Sequence, residues 1–465
     1  MPKYEIGLVG LGVMGGNLVL NLANKGFKVA VFNRTPSKTK EFMGRIVDVE
    51  IFPAYSLNEF TDSLEVPRKI ILMITAGEAT DSIIAGLTSN LSVGDVILDG
   101  GNAFYGNTER REKELIKKGI LYTGLGISGG EEGALNGPCI MSGGSTEAYK
   151  LVSPILTKIA ARGNHGVSCA HVGSGGAGHF VKMVHNGIEY ALLQLISEVH
   201  DVLSTGMGFD IDKICSIYKE WNKGDLGSYL MEIAARSLER YDDETGKPLV
   251  DVILDRAGQK GTGKWTSQSA MDLGIPTPTI DAAVSARNLS GLKDQRVIAS
   301  RLLGANSPRL GEDLVEQCKN SLYCSFIVSF AQGLALLQDA SKKHQYHTNL
   351  RNVAHIWKGG CIIRSKLLDR IQEAFEKENE LPNLLLDNWF ASKLNNLDGD
   401  WRSTIQKIKE IAIPCPALSN SLDYYDGYRR DRLSANMIQV MRDVFGSHGY
   451  ERVDKKGHFH TEWRM

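Results

Sequence analysis

Residues 6–16 read Ile-Gly-Leu-Val-Gly-Leu-Gly-Val-Met-Gly-Gly, and this run decides the fold. A short apolar segment leads straight into Gly10-x-Gly12-x-x-Gly15, with Val13 and Met14 between the last two glycines, and a helical pattern follows. Glycines at this spacing permit a tight turn and a close approach of backbone to a pyrophosphate, whose charge then lies at the N-terminus of the next helix. Alone the pattern is weak. Placed after a strand and before a helix, at the head of a βαβ series, it predicts a dinucleotide site.

Outward from that run, apolar segments at 4–10, 28–32, 69–74, 96–99 and 121–126 alternate with turn signals and helix-like stretches. The alternation predicts a Rossmann-type, doubly wound parallel sheet over residues 1–177. After Gly178 long amphipathic segments take over, at 179–205, 281–303 and 322–343, so residues 178–434 should form a large all-helical domain. Ala-Leu-Leu-Gln occurs at 191–194 and again at 335–338, a hint of internal duplication. A last helix at 435–445 opens a C-terminal unit, 435–465, whose end is rich in Gly, His and charge and reads as a tail that needs something to dock on.

The bulk numbers narrow the class. At 465 residues two or three domains are expected, and 42% hydrophobic with 23% charged residues is the balance of a globular protein. A formal net charge of −1 argues against a nucleic-acid or acidic-membrane binder. Seven cysteines, at 139, 169, 215, 318, 324, 361 and 415, form no Cys-x-x-Cys, so neither a disulfide framework nor a zinc knuckle is indicated. With no signal-like N-terminus and no stretch approaching 18 uncharged apolar residues, a cytoplasmic protein is expected.

The second strand ends in Asn33-Arg34-Thr35, where an NAD site would usually carry Asp or Glu for the ribose 2′-hydroxyl. A cation flanked by two small polar groups suits a 2′-phosphate, so NADP is the expected cofactor. Asp99-Gly-Gly-Asn102 and Ile127-Ser128-Gly129-Gly130 each follow a strand, where a parallel sheet presents ligands; they read either as parts of a site, with Ser128, Gly129 and Gly130 as a carboxylate nest, or as two tight turns. Further on, Lys182, His185, Asn186 and Glu189 share one stripe of a 3.6-residue helix, which is either a solvated face or a working one. No convincing metal ligand set is present; His344/His347 and His458/His460 sit in polar, loop-like segments.

Taken together these motifs resemble the 6-phosphogluconate dehydrogenase family. The likeness runs over nearly the whole chain: 10–17, 33–35, 99–102, Gly-Ile-Ser-Gly-Gly-Glu-Glu-Gly-Ala at 126–134, and Gly-Gly-Ala-Gly-His-Phe-Val-Lys-Met-Val-His-Asn-Gly-Ile-Glu-Tyr at 175–190. It continues in Gly-Gln-Lys-Gly-Thr-Gly-Lys-Trp-Thr at 258–266, Trp-Lys-Gly-Gly-Cys-Ile-Ile-Arg-Ser at 357–365, and Arg-Asp-Val-Phe-Gly-Ser-His at 442–448. Ala191, Ser142 and Leu433-Ser434 depart from the family pattern, and 376–400 is too divergent to place.

The resemblance implies NADP-dependent oxidation of 6-phosphogluconate at C3 and its decarboxylation to ribulose 5-phosphate, without a metal. It assigns Lys182 as base and then acid, and Glu189 as the acid that protonates C1 of the enediol. Ala76 and Asn102 would join the cofactor site, and Asn102, His185 and Asn186 would orient the substrate. Tyr190, Lys260, Thr262, Arg287 and the tail residues Arg442 and His448 would hold its phosphate. The family's tails cross between subunits, so a homodimer is expected. The alternatives are a β-hydroxyacid dehydrogenase acting on a small non-phosphorylated acid, and a non-catalytic NADPH-binding protein.

Overall fold

The computed structural model describes residues 3–46, 49–304, 310–311 and 314–463. The outermost residues of the first and last expected units, 1–2 and 464–465, lie outside them. Seven strands, β1 (Ile6–Val9), β2 (Val29–Phe32), β3 (Ile51–Ala54), β4 (Lys69–Leu72), β5 (Val96–Asp99), β6 (Leu121–Ser128) and β7 (Cys139–Ser142), precede a small hairpin of β8 (Arg162–Gly163) and β9 (Gly166–Val167), and then β10 (Cys169–His171). The main sheet runs β10-β7-β6-β5-β4-β1-β2-β3. Strand β1 pairs in parallel with β2 and with β4, which puts the topological switch point, and the ligand crevice of such a sheet, at the end of the glycine-rich run. Strands β1, β2 and β5 are buried at every position, as helices on both faces require.

The sheet is not wholly parallel as expected: β6 and β7 are antiparallel, with Leu125 opposite Ser142. Between them lie only residues 129–138, carrying the short Gly130–Asn136 helix, too little chain for a parallel crossover. Strands β3 (Ile-Phe-Pro-Ala), β7 (Cys-Ile-Met-Ser) and β10 (Cys-Ala-His) carry no run of β-branched or aliphatic residues like those of β1, β2, β4 and β5, so the sequence does not announce them.

Two long helices, Ala177–Asp201 and Val315–His344, pack on each other at the centre of the helical domain, and each carries one Ala-Leu-Leu-Gln copy. Val315–His344 is long and apolar enough to cross a membrane, but 94% of its apolar window is buried among other helices, which makes it a core helix. The expected helix at 281–303 is two, Pro278–Ser290 and Lys293–Leu303, divided at Gly291. In the divergent stretch 376–400 one helix ends at Lys377 and another, Asn388–Glu410, begins and lies along Val315–His344.

The tail has more structure than its composition promised. Helix Ala435–Gly446 is followed by a hairpin of β11 (Tyr450–Glu451) and β12 (His458–Phe459), with Tyr450 opposite Phe459. Met437, Ile438, Met441, Val444 and Phe445 of that helix are exposed.

Candidate active site

At the switch point the fingerprint glycines have distinct tasks. A Cβ on Gly15 would stand 1.9 Å from the carbonyl oxygen of Gly10, so only glycine lets helix Val13–Asn24 start this close to β1. Gly12 faces open space, which leaves the N–H groups of the first turn, Val13 and Met14 included, available to a pyrophosphate. Ala76 lies in the loop after β4, across the crevice from the fingerprint. Asn33 follows β2, but its amide is engaged: its Oδ1 accepts from Leu11 N (3.1 Å) and its Nδ2 donates to Thr35 O (3.2 Å). Asn33 therefore fixes the loop, and Arg34, exposed, is the side chain free to reach outward, with exposed Thr35 beside it and Lys38 one turn further on. This set fits a nucleotide carrying a 2′-phosphate.

Helix Ala177–Asp201 enters over the sheet through a glycine-lined trench. A Cβ on Gly178 would stand 2.1 Å from Gly124 O and 2.6 Å from Gly143 N, so the helix begins in backbone contact with β6 and with the residue after β7. Gly126 of β6 in turn faces the Cβ of Lys182. The Lys182 side chain is thereby laid beside the end of β6, where Ser128, Gly129 and Gly130 stand.

The stripe read from the sequence is not a solvated face: Lys182 is 6% exposed, His185 0% and Asn186 9%, and the Glu189 side chain is half-buried at 22%. His185 Nδ1 donates to Asn186 Oδ1 (3.1 Å) and its Nε2 faces the Ser128 hydroxyl (3.2 Å), a pairing that suits a neutral ring. Burial, with the charge of Lys182, pushes the His185 imidazole well below its usual range. Burial also lowers the Lys182 ammonium, while Glu189 and the thiols of Cys361 and Cys139 pull it back up. Burial alone lowers it; no neighbouring positive charge contributes. For Glu189 burial raises the carboxyl, opposed by Lys182 and Arg287. An amine and a carboxyl on one helix face are thus both moved toward neutrality.

Beyond Glu189 a second group gathers. The Arg287 guanidinium lies 3.4 Å from the centre of the Tyr190 ring and donates to Gly258 O (3.4 Å). Thr262 is buried at the start of helix Thr262–Leu273, and the adjacent Gly263 packs on Tyr190. Lys260 is exposed in the preceding loop, which is tied to Asn288 through Gln259. Asn102 is exposed at the end of β5. Arg442 and His448 are not part of this gathering: both are exposed on the tail.

Several supporting residues escaped the reading of the sequence. Arg111, fully buried, donates to Asp81 (2.8 Å), to Gly77 O (3.0 Å) and to Asp99 (3.2 Å), and so ties the loop after β4 to the end of β5. His179 donates from Nε2 to Asp99 O (3.0 Å) and joins that network to the Lys182 helix. Trp357 stacks edge-on against His185, and Gly360 O accepts from Cys139 N (2.8 Å), so the 357–365 segment closes the back of the site. Of the histidines that read as loop-like, His344 ends helix Val315–His344 and stacks on Tyr346, and His460 bonds Asp443.

Comparison with known proteins meets this geometry from the other side. The family profile for the NAD binding domain of 6-phosphogluconate dehydrogenase matches residues 5–173, and that for the C-terminal domain of the same enzyme matches 178–463. A Bacillus subtilis protein named as the NADP(+)-dependent, decarboxylating 6-phosphogluconate dehydrogenase is 49% identical over 467 residues, all of both chains. A second one from that organism, named as NAD(+)-dependent, is 47% identical over 463 residues and 99% of each chain. Among solved structures, the Plasmodium falciparum 6-phosphogluconate dehydrogenase, determined free, with its cofactor NADP+ and with its substrate 6-phosphogluconate, superposes with a TM-score of 0.96 at 42% identity, covering 99% of this chain and 100% of that one. By these matches over its whole length, the chain belongs to the 6-phosphogluconate dehydrogenase family.

Proposed function

We infer that the chain oxidises 6-phosphogluconate with NADP and decarboxylates it to ribulose 5-phosphate. The observation that carries this reading is the pair on helix Ala177–Asp201, a buried amine that is lowered and a half-buried carboxyl that is raised, beside a nest fit for a carboxylate. Overall identity does not choose the cofactor, since the NADP- and NAD-named relatives match almost equally; Arg34 at the end of β2 supports NADP. The test is NADPH formation, followed by absorbance, with 6-phosphogluconate against 3-hydroxyisobutyrate. Growth with the second substrate alone would replace this reading by that of a hydroxyacid dehydrogenase.

When bound, the nicotinamide accepts the hydride from C3. Lys182, neutral, takes the proton of the C3 hydroxyl as the hydride leaves. The resulting β-keto acid loses its carboxylate as CO2, the electron pair moving to the ketone, and the Lys182 ammonium returns its proton to that oxygen to give the enediol. Glu189, protonated at this stage, delivers a proton to C1 of the enediol. Ser128 and the amides of Gly129 and Gly130 hold the substrate carboxylate, and Asn102, His185 and Asn186 orient its hydroxyls. Tyr190, Lys260, Thr262 and Arg287 take the phosphate.

Arg442 and His448 complete that phosphate site in a partner subunit, so the working unit is a homodimer. Two features support this: the apolar face of helix Ala435–Gly446 lies uncovered, and so do Leu289, Ile298, Leu302 and Leu303 on the body. The chain is organised as a nucleotide domain (1–177), a helical domain (178–434) and a tail (435–465), and works in the cytoplasm.

A further inference from the structure

Asp443 stands in the last turn of helix Ala435–Gly446, where an acid is unfavourable beside the negative end of the helix dipole. It is nevertheless completely buried, in a segment whose other residues are mostly exposed. Four donors converge on its carboxylate. Gly449 N (2.9 Å) and His460 Nδ1 (2.7 Å) reach Oδ1, while Thr461 N (3.1 Å) and Trp463 Nε1 (2.9 Å) reach Oδ2. These donors come from both sides of the β11–β12 hairpin, so one side chain gathers the whole end of the chain. The next residue back is Arg442, whose Nη1 donates to Gln439 Oε1 (3.1 Å), and Gln439 Nε2 donates to Gly449 O. A run of hydrogen bonds thus links Arg442, Gln439, Gly449 and Asp443, and the peptide bond between 442 and 443 closes it. His448 is held on the same turn, where Ser447 adopts a left-handed backbone (φ 50°) and its N–H bonds Asp443 O (2.9 Å).

We propose that Asp443 is a positioning residue for substrate binding: its carboxylate folds the tail into a rigid unit that presents Arg442 and His448 together to a phosphate. This rests on the reading of the tail as the last piece of the phosphate site. Preorganisation of this kind lowers the entropy lost when two flexible side chains close on an anion, and its removal weakens binding more than it slows chemistry at saturation. An asparagine at 443 keeps the shape but turns an N–H2 toward two of the four donors. Trp463→Phe removes a single donor and keeps an aromatic ring at the position.

The experiment measures KM for 6-phosphogluconate, KM for NADP and kcat in the intact enzyme and in Arg442→Ala, Asp443→Asn and Trp463→Phe, each checked for its dimer by size-exclusion. Arg442→Ala and Asp443→Asn should each raise KM for 6-phosphogluconate roughly tenfold or more, and Trp463→Phe several-fold. For Asp443→Asn and Trp463→Phe, kcat and KM for NADP should stay within about twofold of the unaltered enzyme, since neither side chain meets the reacting atoms. A raised KM in Arg442→Ala with none in Asp443→Asn or Trp463→Phe overturns the positioning role and spares the tail reading. An unchanged KM in Arg442→Ala overturns both. Should Asp443→Asn fail to assemble, Trp463→Phe alone decides: an unchanged KM for 6-phosphogluconate overturns the proposal.

Discussion

Lys182 and Glu189 lie on one helix face and are moved in opposite directions by the same cause, and the roles proposed for them fall at different steps. Lys182→Met should abolish NADPH formation, because no neutral amine remains for the C3 hydroxyl. Glu189→Gln should leave hydride transfer and slow the last proton transfer, read as CO2 release running ahead of ribulose 5-phosphate formation and as lost stereospecificity of the deuterium placed at C1 in D2O. The base form of Lys182 grows as pH rises through its lowered value, so the rate of hydride transfer should climb with pH and level off below the ordinary lysine range. At the other end of the cofactor, Arg34→Ala should weaken NADP roughly tenfold or more and NAD far less. Equal losses for the two cofactors would assign the discrimination elsewhere. These residues were legible because their spacing alone puts them on one face or at one strand end. Arg111 and His179 were not, since an arginine in a charged helix carries no mark that it will be buried under two loops.

At the scale of elements, the carboxylate of Glu198 caps helix Pro416–Tyr428, accepting from Ala417 N (2.8 Å) and Leu418 N (2.9 Å). Burial raises its carboxyl to about 7, against those same hydrogen bonds, which favour the charged form. The folded chain therefore binds a proton there that the unfolded chain has lost, in the window from about pH 4.5 to 7. Stability from this group is fully present below that window and falls as pH rises through it, by on the order of 3 kcal/mol. Denaturant midpoints at pH 5 and 8 should differ less in Glu198→Gln than in the unaltered protein; an undiminished difference would place the titration elsewhere. Elements were read well where a long period repeats, as in 179–205, and poorly where the residues carry no aliphatic run, as in β7 and β10. The antiparallel turn of β7 follows from a loop length, and periodicity does not report it. A glycine inside a helical pattern, Gly291, hid the break between two helices.

For the whole molecule, the question is which chain owns the tail. Co-expression of Lys182→Met with Arg442→Ala chains makes about half the dimers mixed. If the tail serves the partner, each mixed dimer has one intact and one doubly damaged site, and roughly a quarter of the unaltered activity should return. If the tail serves its own chain, activity stays at the level of the single variants. Architecture was readable at this scale because a glycine fingerprint and a change of texture at Gly178 each mark a domain. The tail's own hairpin was hidden, because its core is one carboxylate rather than an apolar pattern.

The trench into which Gly178 is laid has a bearing on how the protein comes apart. Backbone there touches backbone, and His179 is bonded to the carbonyl of Asp99 on the far side of the boundary. No linker separates the two large domains, and neither can swing away without tearing open the end of β6. Heating should accordingly melt both in a single calorimetric transition, and a fragment ending before Ala177 would carry an uncovered glycine furrow that water must fill. The seam that seats Lys182 is also what binds the fate of one half of the chain to the other.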